Sequence, residues 1–162
     1  MRMRAVLISV FLASDILLAA PPGARTPAAP QSPAVRPAAA AAESVELSGA
    51  SIVTPRTLSP QQRTAVRVLV EEIEKRTTIR LPVVTEWPAD GVPVVAVGPA
   101  GSASTWAAPG LRGLPQAAAP GREGYRLALN AAGRRAPSVL VLGADARGER
   151  FGVRRLLREL HL

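Results

Sequence analysis

The chain has 162 residues, 48% of them hydrophobic, and a formal net charge of +8 with no cysteine and one histidine. That length suffices for one ordinary domain with a modest core. The absence of cysteine excludes disulfides and thiolate–metal chemistry, and a lone His161 leaves neither a zinc ligand set nor the histidine of a well-placed serine triad.

Residues 1–20 open with Met1-Arg2-Met3-Arg4 and continue as a mostly apolar run from Ala5 to Ala20, interrupted by Asp15. This is the layout of a secretory signal peptide, so export to the periplasm or beyond is expected. The run is shorter than the ~20 apolar residues of a spanning helix, which argues against stable membrane insertion. Residues 21–42 are dominated by proline and alanine and read as a semi-stiff linker. The foldable part is therefore residues 43–162. Four arginines against Asp15 in the first 42 residues carry +3 of the charge, which leaves +5 on the domain. Nineteen of the twenty cationic residues are arginine, a compositional bias rather than a phosphate-binding signal, and no nucleic-acid partner is expected.

Ser51–Val53 is a β-branched run closed by Pro55, a first strand. In "LSPQQRTAVRVLVEEIEKRT", Ser59, Pro60 and Gln62 form a capping box with proline at the first helical position. Val66, Leu69, Val70 and Ile73 follow at helical spacing, and the helix is predicted to end near Thr77-Thr78. Strands are predicted over 81–85 and 92–98, around a turn at Asp90-Gly91, with Pro93 tolerable only at the strand entrance. Residues 99–122 show no period and read as a long surface loop around Trp106. Tyr125–Leu129 alternates as a half-exposed strand, and a loose hairpin leads to Ser138–Leu142, apolar enough to be covered on both faces. Asp145 caps a last helix whose apolar positions are Phe151, Val153, Leu156, Leu157 and Leu160, with Arg147, Arg150, Arg154 and Arg158 as an arginine stripe. The fold class expected is α+β, an α/β sandwich: a mixed sheet of about five strands with two helices packed against it.

The glycine turn Gly143–Gly148 between a strand and a helix imitates a phosphate-binding loop. Its spacing is wrong, however, and Glu149-Arg150 stands where lysine and a hydroxyl are needed. Asp145 and Glu149 lie four apart, yet an acid in a first helical turn is expected to be exposed and to serve the helix dipole, with nothing nearby to raise its pKa. Glu71-Glu72 lies on the solvated helix face. No catalytic residue, cofactor or metal is expected.

The segments "IVTPRTLSPQQRTAVRVLVEEIEKRTTIRLPVV", "VPVVAVG", "EGYRLALN" and "VLGADARGERFGVRRLLREL" together resemble the non-catalytic N-terminal domain of bacterial glycoside hydrolases. It is the domain that precedes the barrel in family 20 β-N-acetylhexosaminidases and in α-glucuronidases. The match covers about residues 50–160, through Glu123–Leu127 and Gly143–Leu157. In that family the catalytic residues, including an Asp-Glu pair in the hexosaminidases, lie on the barrel that follows, so none carries over. The resemblance implies that Gly143, Asp145, Arg147, Gly148, Phe151 and Gly152 form a strand–helix joint and that the last helix is a docking surface. It also implies an accessory domain, exported if the leader is read as above, whose partner is a catalytic barrel, in cis or in trans, absent from this chain. The alternative is a stand-alone envelope module that binds glycan through Trp106, Tyr125 and the arginine stripe.

Overall fold

A run of 18 residues, Pro60–Thr77, forms helix α1, because Ser59 holds both ends of the reciprocal cap that the sequence announces. The Gln62 amide donates to Ser59 Oγ at 3.3 Å and the Ser59 amide donates to Gln62 Oε1 at 2.8 Å. Thr78 ends the helix in the left-handed region, φ 61°, with its N–H on the Glu74 carbonyl. Ala65, Val66, Leu69, Val70 and Ile73 are the buried stripe. In chain order the strands are β1 (Leu7–Ser9), β2 (Ser44–Glu46), β3 (Ser51–Val53), β4 (Val83–Val84), β5 (Val94–Pro99), β6 (Tyr125–Asn130) and β7 (Ser138–Gly143). Helix α4 (Ala146–Glu159) ends the order, and two single-turn helices, α2 (Ala103–Trp106) and α3 (Ala108–Leu111), follow a 3-10 turn at Ala100–Ser102. The computed structural model describes residues 7–9, 44–114, 118–131 and 136–160.

The main sheet has the order β4-β3-β5-β7-β6. The β3–β4, β3–β5 and β5–β7 pairs are parallel, and β6 runs antiparallel to β7, with Tyr125 opposite Gly143 and Asn130 opposite Ser138. This is the mixed five-stranded sheet expected, an α/β sandwich. Every residue of β3 and β7 is buried, as are the first five of β5, because both faces are covered. Ile52, Val95, Val97, Val139 and Val141 meet α1 and α4 through Leu69, Ile73, Val153 and Leu156. Leu69 and Leu156 are fully buried, so truncating either to alanine costs about 2–5 kcal/mol.

The other face holds a second cluster of Val53, Val94, Ala96, Leu140 and Leu142. Its cover is the segment read from the sequence as a structureless loop. Residues 100–111 form three short helical turns instead, and Ala103 and Ala107 bury against the sheet beside Trp87 and Trp106. The Trp87 Nε1 donates to the Trp106 carbonyl at 2.6 Å, and Trp106 Nε1 donates to the Pro99 carbonyl at 3.2 Å. Buried Asn130 crosses from β6 to donate to the Gly110 and Arg112 carbonyls at 2.8 and 2.7 Å.

Two strands are shorter or shifted relative to expectation: 83–84 rather than 81–85, and 94–99 rather than 92–98. Pro93 precedes β5, and its carbonyl accepts from Ser51 N–H at 3.0 Å, so the strand begins where a donor is next available. Leu7–Ser9, within the stretch read as a signal peptide, pairs antiparallel with β2. The rest of that stretch, the linker 21–42 and His161 lie outside the described residues. Among the described residues no helix is long and apolar enough to cross a membrane.

Candidate functional site: a strand–helix joint and an arginine-edged groove

The joint begins where β7 runs out at Gly143. Ala144 N–H donates to the Gly124 carbonyl at 2.9 Å, which ties the turn to the loop before β6. Asp145 then caps α4: its Oδ1 accepts from Arg147 N–H at 3.0 Å and Gly148 N–H at 2.9 Å, and its Oδ2 accepts from Glu123 N–H at 2.9 Å. Hydrogen bonds from the Gly148 and Glu123 amides, with lesser help from the Arg147 amide and the Arg122 charge, hold the Asp145 carboxyl below its ordinary value of 3.8. Arg147 reaches back to Glu123 Oε1 at 2.7 Å. Glu123 itself has φ 59°, the left-handed region, which turns its amide toward Asp145.

Three glycines make this approach possible. A Cβ on Gly148 would lie 2.0 Å from the Gly124 carbonyl oxygen, and one on Gly143 would lie 2.3 Å from Glu149 N. At Gly152 a Cβ would meet Val141 Cγ1 at 2.7 Å and the Tyr125 side chain at 3.2 Å. Gly143, Asp145, Arg147, Gly148 and Gly152 thus sit together in one strand–helix contact. Phe151 does not join them inward. It belongs to the apolar positions that the sequence sets on α4, yet it is 43% exposed, because it points past the edge of the buried stripe formed by Val153, Leu156 and Leu157.

Glu149 departs most from expectation. It is fully buried, not solvated. Its Oε2 accepts from Gln62 Nε2 at 3.0 Å, while Oε1 has no partner among the described residues. Burial pushes its carboxyl above the ordinary 4.5, only partly opposed by the Gln62 hydrogen bond. Gln62 therefore serves two helix starts at once, closing the α1 cap with Oε1 and reaching the first turn of α4 with Nε2. A glycosidase pair needs two carboxyls facing one scissile bond. Here Asp145 has both oxygens on backbone amides and Glu149 is sealed under the joint. The same cap occupies the Arg147 and Gly148 amides that a phosphate would need.

Two open grooves flank the helices. One, of about 740 Å³, runs between α1 and the β4 edge over Val66, Val70, Leu81 and Val83, with Arg63, Arg67 and Arg80 at its rim. The other, of about 630 Å³, lies between α1 and α4. Val68, Tyr125, Phe151 and Leu157 form its apolar surface, and Glu72, Arg76, Arg154 and Arg158 edge it. Tyr125 does stand beside the arginine stripe. Trp106 and Trp87 do not, since both pack on the opposite face of the sheet.

No family model matches the chain, and no curated protein does. Among solved structures it is similar to part of a family GH115 4-O-methyl-α-glucuronidase with specificity for decorated arabinogalactans, at a TM-score of 0.51 and 18% identity. The likeness covers 69% of this chain and only 14% of that enzyme. At that identity it establishes a shared fold, that of a minor part of a glycoside hydrolase.

Proposed function

We propose that the chain is a non-catalytic accessory domain of an exported glycoside-hydrolase-type protein, and that it buttresses a catalytic (β/α)₈ barrel in cis or in trans. The observation that carries this reading is the fold shared with 14% of a GH115 enzyme, whose remaining length leaves ample room for catalysis elsewhere. The commitment of Asp145 and Glu149 to the joint supports it, because the two carboxyls best placed for acid–base work are already used. The joint also suits a buttress. Three amide bonds and two glycine contacts fix the start of α4, so any domain that leans on this helix inherits one orientation relative to the sheet.

The test is twofold. The purified chain is assayed on chromogenic α-glucuronides and N-acetylhexosaminides, and the locus around its gene is read for a barrel. No turnover, with a barrel encoded in the same or a neighbouring frame, is the expected result. Hydrolysis by this chain alone, abolished by Glu149→Gln, would overturn the reading. Export is checked by N-terminal sequencing of the protein recovered from the periplasm or medium.

A further inference from the structure

Of the four large apolar side chains exposed among the described residues, three line the groove between α1 and α4: Val68, Tyr125 and Phe151. The three exposures share one groove and are not scattered singly over the surface. Tyr125 is held in place, since Gly152 leaves room for its side chain to rest against α4. The charges around it are unequal. Arg76 is engaged by Glu72 at 3.3 Å and by the Leu157 carbonyl at 2.8 Å, and Arg155 is engaged by Glu159 at 2.7 Å. Arg154 and Arg158, at the groove, form no ion pair among the described residues.

We propose that this groove docks an amphipathic segment of a partner protein, apolar on the face that meets Tyr125 and Phe151 and flanked by aspartate or glutamate that meets Arg154 and Arg158. Aromatic anchors within a rim of arginine are the composition that concentrates binding energy in protein interfaces. Charge selects the occupant. A second copy placed groove to groove would set Arg154 and Arg158 against their own equivalents on a chain of net charge +8, which repels. An acidic flank is attracted by the same field. The proposal rests on the accessory-domain reading for the partner's source, a neighbouring catalytic domain, and takes its chemistry from the groove alone.

The full chain is titrated into a fluorescein-labelled synthetic amphipathic peptide with a Leu/Phe face flanked by glutamates, and into the same peptide with lysines for glutamates. Anisotropy should show the acidic peptide binding and the lysine peptide failing. Phe151→Ser and Arg154→Glu should each weaken binding about tenfold, with unchanged circular dichroism because both side chains are exposed. Equal binding of the two peptides, no binding of the acidic one, or wild-type affinity in the variants would overturn the proposal. So would a concentration-dependent dimer that Phe151→Ser abolishes, which would assign the surface to a second copy. An oligonucleotide that competes with the peptide through the same residues at equal affinity would assign it to nucleic acid. Peptide binding with no barrel at the locus leaves this surface standing and removes the accessory reading; a barrel without peptide binding does the reverse.

Discussion

The two long helices begin in different ways. Helix α1 is capped by residues within its own first turn, Ser59 and Gln62, and needs nothing from the rest of the chain to satisfy its first amides. Helix α4 is capped by Asp145, but that carboxylate also holds the Glu123 amide 22 residues upstream, and Gly148 in its first turn lies against the Gly124 carbonyl. One start is a local motif and the other is a tertiary contact that happens to include a cap. Gln62 joins them, so the self-sufficient start also steadies the dependent one.

The sharpest way to break this contrast is Gly148→Ala. In an isolated helix alanine would be favoured by about 1 kcal/mol. Here its Cβ would fall 2.0 Å from the Gly124 oxygen, so a loss of about 3 kcal/mol is expected in urea denaturation. Asp145→Ala should come next, because three backbone amides lose their acceptor at once; the thermal midpoint should fall further than for Ser59→Ala. The latter removes one local bond and should cost about 1 kcal/mol. A gentler probe is Glu149→Gln, which preserves an acceptor for Gln62 but cannot ionise.

For Glu149 the folded carboxyl is raised, so the native state holds its proton more tightly than the unfolded chain. Stability from this group is full below pH 4.5 and falls as pH rises through the raised value. Asp145 has the opposite sign: its contribution is present above pH 3.8 and is lost as pH drops through its lowered value. Glu149→Gln should flatten the first slope, raise stability at neutral pH and leave the second slope intact, as read by denaturation at stepped pH. The smallest effect belongs to Gly101→Ala. A Cβ there meets nothing within 4 Å, so the thermal midpoint should only rise slightly, through the lower entropy of the unfolded chain.

The same contrast explains what could be read in advance. Ser59, Pro60 and Gln62 were legible because a capping box is contained in four residues, and β7 was legible because continuous apolar runs imply cover on both faces. Asp145 was legible as a cap for the same local reason. The burial of Glu149 was not, since its partner is 87 residues away in sequence. Phe151 was misplaced because helical spacing gives the centre of an apolar stripe better than its margin. Residues 100–111 were missed because single-turn helices are too short to show a period, and their buried residues, Ala103 and Ala107, are small. The groove required both helices and β6, and no stretch of sequence contains it.

The chain has two tryptophans, and both lie on the sheet face away from the long helices. Intrinsic emission therefore watches the thin alanine-rich cover, while ellipticity at 222 nm watches mainly α1 and α4. Superimposed unfolding curves from the two signals would mean that the cover and the helical layer melt as one cooperative body, and separated curves would locate which side of the sheet lets go first.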